Sequence, residues 1–130
     1  MPSKLPHLIL LSLFGLIVFF HLGILVKWIP YTIAWGGRLS NDSEMYGFET
    51  ISIVLNAVII LVLLMHARYI TFSFHEKTLR LLLWLFFILF LINTIGNAFA
   101  KTTFEKIFTF VTLLIAVLIW RILRAPRPVE

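Results

Sequence analysis

The chain predicts an all-α integral membrane protein, a four-helix bundle running up-down-up-down, and three observations carry that prediction. The first is composition: 61% of the 130 residues are hydrophobic and the mean hydropathy is +1.02. Only 13% are charged, where soluble domains carry about 25%. The second is the spacing of charge, which leaves four apolar stretches near the roughly 20 residues that a spanning helix needs. The third is the shortness of the later connections, which favours antiparallel neighbours. The length allows one domain.

The first helix is expected over 5–29. Its charge-free run from Leu5 to Val26 is 22 residues long, and Pro30 biases the residue before it away from helix. Met1-Pro2-Ser3-Lys4 has the positive start of a signal peptide, but the apolar run is too long and no small-x-small cleavage site precedes Trp28-Ile29-Pro30. A retained helix is the reading. Gly36-Gly37 marks a turn in the long first loop. Asn41 followed by Glu44 resembles a capping box and opens a second helix over 42–69. Trp28, Tyr31, Trp35 and Tyr46 gather around this loop as an interfacial aromatic belt does.

The third helix is expected over 79–100, since the 20 residues between Arg80 and Lys101 carry no charge. The fourth, 104–123, is the shortest in charge-free length, with 14 residues between Lys106 and Arg121. Long cationic side chains that reach back to the interface extend it. The tail 124–130, with Pro126 and Pro128, is expected to be flexible or to lie on the membrane surface.

Lysine and arginine placement sets the orientation. Seven cations (Lys4, Arg68, Lys77, Arg80, Arg121, Arg124, Arg127) fall on one side and four (Lys27, Arg38, Lys101, Lys106) on the other. This puts both termini in the cytoplasm of a multi-pass protein of the cell membrane. The net charge of +5 sits at helix ends and forms no stripe along a soluble face, which argues against nucleic acid as a partner. With no cysteine there are no disulfides, thiolate metal sites or thiol nucleophiles.

Polar residues inside the helices collect toward the side of the first and third loops. Glu49, Ser52 and Asn56 fall within about 60° of one another on one helix face. An intramembrane carboxylate costs several kcal/mol unless it is paired, protonated or facing water, so Glu49 is the most informative residue. It reads either as a proton- or ligand-binding group or as an interfacial residue paired with Lys27, Arg38 or Lys101. Asn93 and Asn97 share a face around Gly96, as interhelical glue or as donors and acceptors to a buried ligand. His7, Phe14, His21 and Trp28 recur every seven residues along one stripe, and His21 is placed to bond Asn56 or Asn93. Thr109 and Thr112 are expected to bond back to their own helix.

The candidate ligand-binding set is therefore His21, Glu49, Ser52, Asn56, Asn93 and Asn97. Lys27, Arg38, Lys101 and Glu105 are loop or ion-pair candidates. No catalytic residue is assigned: H-E-x-x-H, G-x-S-x-G and phosphate-loop patterns are all missing. A metal is not expected, because His7, His66 and His75 lie at the far side from His21. No cofactor is implied.

Trp35-Gly36-Gly37-Arg38-Leu39 with Glu44-Met45-Tyr46-x-Phe48-Glu49, and Asn93-Thr-Ile-Gly96-Asn97-x-Phe99-Ala100-Lys101-Thr-x-Phe104-Glu105-Lys106, resemble an uncharacterised family of small four-helix bacterial membrane proteins. In layout, Phe20-x-x-Gly23-x-x-x-Lys27 with Glu49 opening the second helix is similar to DoxX-like proteins of the bacterial inner membrane. The acidic start of the second helix is also similar to the EXPERA sterol-binding and isomerase domain, whose acidic partner in the first helix is missing here.

The expectation for function is non-enzymatic. The chain would bind a lipid-like or amphipathic small molecule in a polar pocket open to the outer face, or serve as an accessory subunit of a membrane complex. The alternatives are a small dimeric proton-coupled transporter using Glu49 and an EXPERA-like isomerase. Membrane lipid, and a second copy or larger complex, are the expected partners.

Overall fold

The computed structural model describes residues 3–34 and 39–129. Trp35, the Gly36-Gly37 turn and Arg38 lie outside the described residues. The described chain is an all-α bundle of four helices, each long and apolar enough to cross a membrane: α1 Leu5–Leu25, α2 Asp42–His66, α3 Glu76–Ala98 and α4 Thr103–Arg124. A 3-10 turn, Tyr31–Ile33, follows α1.

The helix ends follow from local chemistry. At the start of α2, Asn41 Oδ1 accepts from the Glu44 N–H at 2.9 Å while Glu44 reaches back to the Asn41 side chain and to Ser40. Thr102 caps α4 in the same way, accepting from the Glu105 N–H at 3.2 Å. α1 stops at Leu25, short of the expected Ile29, because the chain turns left-handed at Lys27 (φ 66°). The Trp28 N–H then bonds Gly23 O and the Lys27 N–H bonds Ile24 O, a Schellman closure that satisfies the last carbonyls. α2 closes likewise at His66, three residues short of the expected 69. Arg68 has φ 63°, Tyr69 N–H bonds Leu64 O and Arg68 N–H bonds Met65 O. α3 starts earlier than the expected 79, because the His75 side chain accepts from the Lys77 N–H and so caps the helix before it reaches the apolar run.

α3 packs closely along α4, and α1 along α2, while α2–α3 and α1–α4 meet less extensively. The packing is uneven along the bundle axis. At the end holding the α2–α3 connection, Leu10 and Phe14 of α1 meet Ile59 and Leu63 of α2, Leu79 and Leu83 of α3, and Ile115 and Ile119 of α4, all fully buried. At the other end the helices part. The outward surface is apolar, with Phe19 and Phe110 74% and 75% exposed, which suits hydrocarbon rather than water as its solvent.

The tail runs back over the α2–α3 connection. Arg127 donates from Nε to His66 O at 3.1 Å and from Nη2 to Met65 O at 2.9 Å, capping the end of α2. Arg68 Nε donates to Pro128 O at 2.7 Å, and Pro128 is buried. Arg80 Nη1 donates to Leu123 O at 3.0 Å, tying α3 to the end of α4. Burial, with Arg68 nearby, lowers the Arg127 guanidinium from its ordinary pKa.

Candidate functional site: a phenylalanine-walled cavity with a polar lining

The open end of the bundle encloses a cavity of about 370 Å³, within the lower range of small-molecule sites. All four helices line it. α1 contributes Ile17, Phe20 and His21, and the following turn contributes Ile33 and Ala34. α2 adds Phe48, Ser52, Leu55 and Asn56, and α3 adds Phe86, Phe90, Asn93 and Asn97. α4 closes it with Phe104, Glu105, Phe108 and Thr112. Phe20 stacks on Phe104 with ring centroids 5.1 Å apart, and Phe104 on Phe108 at 5.9 Å, making one aromatic wall between α1 and α4.

The helical period explains why the polar groups converge. Glu49, Ser52 and Asn56 lie on the inward face of α2, and all three are buried. Asn93 and Asn97 stand one turn apart on α3 and both line the cavity. Glu105 is buried in the first turn of α4, where its carboxylate accepts from Thr102 Oγ1 at 2.8 Å.

His21 bonds Glu49, with Nδ1 2.5 Å from Oε2; it does not bond Asn56 or Asn93. The Glu49 side chain is fully buried and that of His21 is 15% exposed. A carboxylate only accepts, so the proton of this contact is assigned to Nδ1. Lys27 is bonded to Asp42 at the membrane edge instead of to Glu49, and the adjacent carboxylate raises its ammonium pKa. Lys101 is exposed beyond α3 and does not line the cavity. Arg38, the remaining ion-pair candidate, lies outside the described residues.

The asparagines are not glue in the expected sense. Asn56 Nδ2 donates to Ser52 O of its own helix at 2.7 Å, and its Oδ1 is buried with no hydrogen-bond partner among the described residues. The side chains of Asn93 and Asn97 make no interhelical hydrogen bond among the described residues, and Asn93 is exposed. The α3–α4 polar tie is made by threonines: Thr94 Oγ1 bonds Thr112 Oγ1 at 3.0 Å. Thr112 also bonds back to Phe108 O and Thr109 O. Thr109 departs from the expected back-bonding, its hydroxyl being buried without a partner among the described residues.

A second polar pair lies at the opposite end, formed by two of the three histidines placed on that side. His7 Nε2 and His66 Nδ1 are 2.9 Å apart, both residues 2% exposed, with rings stacked at 5.2 Å. The seven-residue stripe did place His7 on the face that holds Phe14. What it lacked was the depth of His66, one turn from the end of α2. Among the described residues no group of three or more His, Cys, Asp or Glu is placed to hold a metal.

No family model, curated protein or solved structure matches the chain.

Proposed function

We propose that this multi-pass membrane protein binds a lipid-like or amphipathic small molecule in the cavity and does no chemistry on it. The observation that carries the proposal is the cavity itself, which is lined by an aromatic wall and by polar groups: carboxamides that make no interhelical bond among the described residues, and the His21 imidazole. A ligand with an apolar body and a polar end satisfies both. Entry from the bilayer fits the α2–α3 seam, where Ile51, Leu55 and Asn93 are exposed. The seven-to-four cation bias supports cytoplasmic termini and a cavity at the outer-leaflet end.

Ser52→Phe tests this, because it projects a ring into the cavity from a residue that supports none of the bundle's tight end. Wild-type protein purified in mild detergent should retain a small molecule detectable by mass spectrometry, and the variant should lose it with its helical circular dichroism intact. Equal retention by both proteins would overturn the reading.

A second reading, a dimeric proton-coupled transporter, is favoured by the His21–Glu49 pair, which is built to hold a proton at the cavity wall. It requires that Glu49→Gln abolish pH-driven flux in proteoliposomes and that the protein crosslink as a dimer. An accessory role requires instead a fixed partner in native membranes.

A further inference from the structure

Two acceptors on the cavity lining lack a described donor and set the polar end of the ligand, while Asn93 and Asn97 beside them can each donate or accept. One is Asn56 Oδ1, on a side chain more than nine-tenths buried, whose only described bond uses its Nδ2. The other is His21 Nε2 in the neutral tautomer whose Nδ1–H donates to Glu49. Both side chains line the same cavity. A buried acceptor without a donor carries a desolvation penalty of about 1–3 kcal/mol, and no described side chain donates to Asn56 Oδ1. A ligand ether or ester oxygen could accept from Asn93 or Asn97 but brings no donor for the buried Asn56 Oδ1. An ammonium would bring donors together with a charge that costs far more to desolvate. A hydroxyl brings one donor and no charge.

We infer that the cavity takes an apolar alcohol or phenol, its hydroxyl donating to His21 Nε2 or Asn56 Oδ1 and its body lying against Phe20, Phe90 and Phe108. This rests on the ligand-binding reading above and specifies its chemistry. In the carboxylate–imidazole pair, Glu49 fixes the tautomer that keeps Nε2 an acceptor. Glu49 therefore acts on the ligand through His21.

The experiment compares 4-octylphenol with its methyl ether, which has nearly the same shape and no donor. Each is titrated into the full-length protein in lipid nanodiscs. Thermal unfolding is the first readout, and the nitrogen chemical shift of His21 Nε2 is the second. The phenol should half-saturate at about tenfold lower concentration than the ether, as one hydrogen bond predicts, and should move the Nε2 resonance. In the double variant His21→Leu, Asn56→Leu the two probes should become equivalent. Equal stabilisation of the wild type by both probes would overturn the hydroxyl assignment and leave the cavity a binding site. Stabilisation by neither probe would overturn both readings. A phenol preference that survives the double variant would also refute the assignment, by placing the donor contact elsewhere.

Discussion

The His21–Glu49 contact should show itself as a coupling energy between α1 and α2. The perturbation is a double-mutant cycle of His21→Leu, Glu49→Leu and the pair. The bond is short, 2.5 Å between Nδ1 and Oε2, and one partner is fully buried, so solvent screening removes little of it. Hydrogen bonds to a charged group are worth about 1.5–3 kcal/mol. Side-chain hydrogen bonds within membrane proteins average nearer 0.6 and reach about 1.7 kcal/mol, since the membrane-embedded unfolded chain finds other partners. The burial and shortness of this bond place the expected coupling at the upper end of the second range, about 1.5 kcal/mol. Reversible unfolding in mixed micelles, followed by circular dichroism, measures it. Additivity to within about 0.5 kcal/mol is ordinary for sites that do not interact. A coupling below that would refute the contact as an energetic link and, with it, the tautomer argument for His21.

Asn56→Leu removes a buried acceptor that has no described partner, so the ligand-free protein should be unchanged or more stable by about 1 kcal/mol; thermal unfolding in detergent checks it. Thr112→Val should cost about 1 kcal/mol by breaking the α3–α4 hydroxyl contact, again read by unfolding. Lys27→Gly should gain about 1 kcal/mol by relieving the left-handed backbone, and a lower stability would mean that the Asp42 contact outweighs the relief. Arg127→Ala should speed hydrogen exchange of the amides from Leu64 to Tyr69, where the end of α2 is closed, and leave exchange in α3 unaltered.

What was legible in the sequence was what depends on period and charge. The number of helices, the capping of α2 at Asn41 and the shared face of Glu49, Ser52 and Asn56 follow from spacing alone. Partner choice across helices was not legible. Glu49 had three cations in reach by sequence, yet the described ion pair of Lys27 goes to Asp42, and His21 meets the Glu49 carboxylate because the α1 stripe and the α2 face cross at that depth. The His7–His66 pair joins residues 59 positions apart, a separation at which periodicity says nothing about register. The early ends of α1 and α2 were hidden for another reason. Lysine and arginine are poor markers of a left-handed residue, so no glycine announced either closure.

The cap that Arg127 places on α2 also has a bearing on how the protein is made. The carbonyls of Met65 and His66 at the membrane edge gain their guanidinium donor only from a residue about sixty positions further along the chain. During synthesis α2 therefore closes first on its own backbone hydrogen bonds, and the guanidinium is added only once α3, α4 and the following residues have been made. The cap is thus the last contact at that end of α2 for which the chain can supply a donor.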